Sequence, residues 1–132
     1  MNFRKELKIN PNLTSLSEKF NDHELSSLST LGTVVDLQQG AVLAHEGAVG
    51  QEAIVIISGS ALVVRDAETI ATVGPSTILG EAALLTGEAR NASLIAETDL
   101  RVTVLNRREF RSWLDQCPRI ERQVNGLAQA RA

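Results

Sequence analysis

With 132 residues, the chain supports one domain around one modest core. A hydrophobic fraction of 43% suits a globular fold, and a net charge of −3 excludes a general affinity for polyanions. One cysteine, Cys117, excludes an internal disulfide, and no apolar run is long enough to span a bilayer.

Residues 1–10 read as a polar, loosely held arm. The opening Met1-Asn2-Phe3-Arg4-Lys5-Glu6 has no apolar signal core, so a cytoplasmic location is expected. Leu13, Leu16 and Phe20 follow helical spacing, and so do Leu25, Leu28 and Leu31. Ser15 with Glu18, and Asn21 with Glu24, each place a capping acid three residues after a helix start. Two short helices with a break at Asn21-Asp22 are therefore expected. From Thr33 to Leu79 short β-branched runs alternate with glycines, the texture of short strands joined by tight turns. Ile54-Val55-Ile56-Ile57 reads as a central strand covered on both faces. Leu62-Val63-Val64 and Ile70-Ala71-Thr72-Val73 pair across the Arg65-Asp66-Ala67-Glu68 turn. A short helix is expected over Glu81 to Leu85, with strands at Ala92 to Ala96 and Leu100 to Leu105. Asn106 and Glu109 form another capping signature, opening a helix with Phe110, Trp113 and Leu114 on one face. Pro118 ends that helix or begins the next, whose stripe is Ile120, Val124 and Leu127. Cys117 reads as a half-buried helix residue. Arg101, Arg107, Arg108, Arg111, Arg119, Arg122 and Arg131 read as a solvated helix face rather than a nucleic-acid patch.

The densest chemistry lies in Gly80-Glu81-Ala82-Ala83-Leu84-Leu85-Thr86-Gly87-Glu88-Ala89-Arg90-Asn91-Ala92-Ser93. A carboxylate such as Glu81 accepts hydrogen bonds from ribose hydroxyls, and Arg90 offers a fixed fork of donors to phosphate oxygens. A helix starting just after Gly80 points free N–H groups at an anion. Small side chains at Ala82, Ala83 and Ala92 let a ligand approach the backbone. His23 and His45 are far apart, and His45-Glu46 lacks the further ligands that a metal site needs, so none is expected. Ser58, Ser60 and Ser93 have no His/Asp partners in a nucleophile motif, so no catalytic residues and no enzyme activity are expected.

This stretch resembles the phosphate-binding cassette of the cyclic nucleotide-binding domain family. Val34 to Gly50 and Ala53 to Val64 resemble that family's glycine-punctuated β-roll. Phe110, Leu114, Pro118 and Ile120 fall where the family has its last two helices, so the resemblance covers nearly the whole chain. It implies a mainly β fold with flanking helices: an antiparallel, jelly-roll-like β-roll (a double-stranded β-helix). N-terminal helices precede the roll, a cassette helix interrupts it, and two C-terminal helices follow. The implied organisation is an arm with helices over 1–31, the roll over 32–105 with the cassette at 79–93, and hinge and lid helices over 106–132.

The resemblance also implies the ligand set. Arg90 and the amides of Ala83 and Ala92 face the cyclic phosphate, Glu81 holds the ribose 2′-hydroxyl, and the Gly80 backbone lies close to the sugar, with Ala82 beside it. Asn91 departs from the usual small residue and leaves cAMP against cGMP open, with cAMP the leading choice. Leu79 stands where phenylalanine is common, and Ala89 where proline often precedes the arginine. Val63 and Ala71 fall where relatives line the base pocket, although core packing explains both equally well. Leu127 or Val124 could cap the base, and Arg131 lies where some bacterial channel domains place an arginine over the purine; packing and a free terminus are the respective alternatives. The expected function is a non-catalytic sensor, moving its C-terminal helices on binding cAMP or cGMP, with no other cofactor. Its partner is an unspecified effector or a second copy of the chain, with no nucleic acid and no membrane contact. The alternative is a degenerate roll that serves protein–protein interaction or dimerisation without a ligand.

Overall fold

In this computed structural model, residues 13–15, 19–48, 52–79 and 92–131 are described, with backbone alone for 13–15 and 126–131. Nine strands and three helices are seen among them: β1 (Leu13–Ser15), α1 (Asp22–Leu31), β2 (Thr33–Leu37), β3 (Val42–Ala44), β4 (Glu52–Ser58), β5 (Ala61–Arg65), β6 (Glu68–Val73), β7 (Thr77–Leu79), β8 (Ser93–Ala96), β9 (Leu100–Asn106), α2 (Arg107–Gln116) and α3 (Pro118–Arg131). All strand pairs are antiparallel. One sheet has the order β1-β7-β4-β9-β2 and the other β3-β8-β5-β6. The fold is mainly β with flanking helices, as the sequence led us to expect.

Strand alternation explains the layering. Successive side chains of a strand point to opposite faces, and β4 has apolar residues in both directions. Ile54 and Ile56 enter the core between the sheets, with Val63, Ala71, Leu79, Leu94 and Val102. Ala53 and Val55 enter a second core on the other face, with Leu28, Phe110, Trp113, Ile120 and Val124 of the helices. β4 is thus the central, doubly covered strand that its composition indicated. Trp113 is fully buried and meets the Phe20 ring edge-on at 5.5 Å.

Local chemistry sets the turns and caps. β5 and β6 close through Asp66-Ala67, both with positive φ (53° and 65°), the backbone of a two-residue hairpin. Asn21 and Asn106 are N-caps with complete capping boxes to Glu24 and Glu109. Pro118 is the first residue of α3, where its missing N–H costs nothing.

Four expectations are corrected. Leu13–Ser15, expected within a first helix, is a strand paired with β7 (Leu13 opposite Leu79), because it sits within reach of an open sheet edge. Leu25 lies on the exposed side of α1, and Glu24, Ser27 and Leu28 form its buried face. Cys117 is fully buried at the α2–α3 junction rather than half-buried within a helix. Arg119 leaves the solvated arginine face and reaches α1.

Candidate functional site

The chain leaves the five-stranded sheet at Leu79 and rejoins the four-stranded sheet at Ser93. Between them, Gly80, Glu81, Ala82, Ala83, Arg90 and Asn91 lie outside the described residues, as does the expected helix over Glu81 to Leu85. The two flanks are firmly held. Leu79 is buried and stands opposite Ile54 of β4. Ala92 is half-buried against the inter-sheet core, and Ser93 pairs with Val64 of β5.

Val63 and Ala71 are brought together. They are direct cross-strand partners in the β5–β6 hairpin, each 2% exposed, and Val63 also faces Leu94 of β8. Both belong to the inter-sheet core against which Ala92 packs. Leu127 and Arg131 fall in the last turns of α3, and their side chains lie outside the described residues.

The cassette's C-terminal flank carries a support that sequence reasoning missed. The Ser93 hydroxyl accepts the Glu46 N–H at 2.9 Å, and the Glu46 carboxylate accepts the Asp66 N–H at 3.1 Å. One residue of the β3–β4 loop therefore ties the start of β8 to the tip of the β5–β6 hairpin. The sequence offered only the polar pair His45-Glu46 before a glycine, and its partners are remote. Among the described residues, no group of three His, Cys, Asp or Glu side chains could hold a metal ion.

Ile120 and Val124, the described part of the α3 stripe, point away from the space between the sheets. Both are buried in the outer core with Trp113 and Leu28. An ion pair fixes this arrangement: Arg119 Nε donates to Glu24 Oε2 at 3.0 Å, and Arg119 Nη2 donates to Glu24 Oε1 and to the Lys19 carbonyl. The Trp113 Nε1–H donates to the Glu24 carbonyl at 3.1 Å. Burial pushes the Glu24 carboxyl up. The Arg119 hydrogen bonds, the Asn21 N–H and the Arg119 charge outweigh it and hold the pKa below the ordinary value. Burial, and then the Glu24 charge, pushes the neighbouring Cys117 thiol above its ordinary value, so it stays neutral. Helix α2, expected to be the hinge element, is anchored to the sheet by Phe110 and Trp113.

A cleft of about 460 Å³ is lined by Asp36, Gln38, Ser58, Asp99 and Arg101, with Leu37 and Leu100. Its arginine is already taken, since Arg101 donates to both carboxylate oxygens of Asp36 at 2.7 and 3.1 Å, and Asp99 accepts the Gln39 N–H. Among the described residues no helix is long and apolar enough to cross a membrane.

Comparison with known proteins agrees with this geometry. Residues 34–117 match the cyclic nucleotide-binding domain. The chain is similar to a CRP-like cAMP-activated global transcriptional regulator of Mycobacterium tuberculosis, 32% identical over 95 residues, covering 68% of this chain and 42% of that protein. It is also similar to a cAMP-dependent protein kinase regulatory subunit of Hypocrea atroviridis, 30% identical over 113 residues, covering 86% of this chain and 23% of that protein. The chain thus spans less than half the length of these relatives. A solved structure from work on a cyclic-GMP-dependent signalling pathway in bacterial phytopathogenesis superposes with a TM-score of 0.71 at 25% identity, covering 86% of this chain and 94% of that one. Together with the two-sheet roll and its helical cover, the match over residues 34–117 makes this chain a member of the cyclic nucleotide-binding domain family.

Proposed function

We propose that the chain is a non-catalytic receptor for a 3′,5′-cyclic nucleotide, with cAMP as its ligand. The observation that carries this reading is the family match across residues 34–117, which contains the complete Gly80-Glu81 to Arg90 pattern. Arg90 and the Ala83 and Ala92 amides hold the phosphate. Glu81 takes the ribose, with Gly80 and Ala82 against the sugar and Asn91 beside the phosphate. Val63 and Ala71 form the apolar floor on which the base rests. The two relatives, one a cAMP-activated regulator and the other a cAMP-dependent kinase regulatory subunit, support cAMP.

The output is a shift in the C-terminal helices. A ligand moves an equilibrium only through contacts that differ between two states. In the structure the first turns of α3 pack on the outer core and are tied to Glu24 through Arg119. Ligand-driven movement therefore either breaks the Arg119–Glu24 tie or is confined to the part of α3 beyond it, where Leu127 and Arg131 lie close enough in sequence to act together on the base.

Calorimetric titration with cAMP and with cGMP tests the reading. Wild type binds cAMP more tightly, and Arg90→Ala lowers affinity about a hundredfold, roughly 3 kcal/mol for a charged fork. No heat with either nucleotide up to millimolar ligand would leave a roll used for protein–protein contact alone. Tighter binding of cGMP would reverse the assignment at Asn91.

A further inference from the structure

Helix α2 carries charges set against its own dipole. Arg107 and Arg108 are its first two residues, and Asp115 lies in its last turn. Helices favour acids at the N-terminus and bases at the C-terminus. Arg111 and Asp115 stand four residues apart in the weaker order, base before acid. Among the described residues, Arg107, Arg111 and Asp115 take part in no ion pair. Neither helix stability nor pairing among the described residues accounts for them.

These charges line a groove. Arg107, Phe110, Arg111, Leu114 and Asp115 follow one face of α2, and with Glu121 of α3 they enclose about 330 Å³. Arg107, Arg111 and Asp115 are exposed, and Leu114 and Glu121 are half-buried. Arg107 and Asp115 are about 12 Å apart along the axis at 1.5 Å per residue. The groove is positive at one end and negative at the other.

We propose that this face joins two copies of the chain about a two-fold axis, with the α2 helices antiparallel. Inversion of the ridge sets Arg111 against the partner's Asp115, and Asp115 against the partner's Arg111. Arg107 then faces the partner's Glu121, and the two Leu114 side chains meet near the axis. A partner helix of uniform charge meets like charge at one end of the groove, whereas an inverted copy meets opposite charge at both. This self-complementarity is what an isologous contact requires. The face is small beside a standard interface of roughly 800 Å² per partner, so the dimer is weak, reversible and salt-sensitive.

Sedimentation equilibrium of the whole chain tests the proposal. Wild type shows a monomer–dimer equilibrium by about 0.5 mM protein at low salt, as expected for a small charged interface, and shifts to monomer at high salt. Arg111→Glu and Asp115→Arg each raise the dissociation constant at least tenfold, while circular dichroism remains native. Mixing the two variants restores association, because the new acid of one meets the new base of the other and the native pair survives at the second contact. Arg122→Glu, outside the groove, leaves association unchanged. A monomeric wild type, single variants that associate as wild type does, or a mixture that stays monomeric overturns the proposal. In wild type, concentration-dependent amide shifts in α2 provide a check independent of the variants; shifts elsewhere alone also overturn it.

Discussion

Replacing Arg119 by Met isolates the contact that holds α3 to α1. The Glu24 side chain is 3% exposed and that of Arg119 26%. Removing the guanidinium strands a buried carboxylate beside Cys117, with the Asn21 N–H as its remaining donor among the described residues. Breaking a fully buried pair from one side costs about 3–5 kcal/mol. Because Arg119 is partly open to water, about 2–3 kcal/mol is expected, a fall in Tm of roughly 10 °C for a chain of this size. The pH dependence distinguishes this mechanism from lost packing. In wild type the folded Glu24 pKa is depressed, so its stabilisation is complete above the unfolded carboxyl value and is lost as pH falls through the lower folded value. In Arg119→Met burial is opposed only by the Asn21 N–H and the weaker His23 charge, so the folded pKa rises above its wild-type value. The penalty is then full at neutral pH and shrinks on acidification, as Glu24 becomes neutral. Urea unfolding from neutral pH to about pH 4 should show the gap between wild type and variant closing as the pH drops. The double variant with Glu24→Gln, which keeps the capping acceptor, should recover part of the loss. A gap that stays constant or widens on acidification would refute the reasoning.

Three further outcomes follow from the geometry. Gly59 has φ +89°, and a Cβ there would lie 2.3 Å from the Asp99 carbonyl oxygen, so Gly59→Ala should cost more than about 1 kcal/mol in urea unfolding. Ala67 occupies the left-handed region at φ 65°, so Ala67→Gly should be neutral to stabilising by up to about 1 kcal/mol, and a lower Tm would contradict the hairpin assignment. Ser93→Ala and Glu46→Ala remove the tie between β8, the β3–β4 loop and the hairpin tip; each should weaken cyclic-nucleotide binding several-fold while costing at most about 1 kcal/mol of stability, one exposed hydrogen bond or so. Unchanged affinity in both would show that the tie does not position the cassette.

What the sequence made legible was local or strongly patterned. The capping boxes at Asn21 and Asn106 need only four residues each, and both are present. The run Ile54 to Ile57 announced a doubly covered strand because its side chains are apolar on both faces of the pleat. Asp66-Ala67 was legible as a turn because apolar β-branched runs flank it. What escaped depends on distant partners. Leu13–Ser15 is a strand because β7 offers it an edge, and β7 lies more than sixty residues away. Glu24 reads as a capping acid and is one, but its second role comes from Arg119, 95 residues on. Leu25 looked like a core residue by spacing alone, whereas Glu24 occupies the buried face because Arg119 neutralises it there. The cassette was legible as a ligand motif through resemblance; the Glu46–Ser93 support was not, since neither residue announces the other.

The most direct test of the central claim is to map amide chemical shifts of the isotope-labelled chain during titration with cAMP. Saturable shifts are expected in residues 80–92 and around Val63 and Ala71, and in Arg90→Ala only at about a hundredfold higher cAMP. Shifts confined to the Asp36–Arg101 cleft or the α2–α3 groove, or no shifts at all, would contradict it.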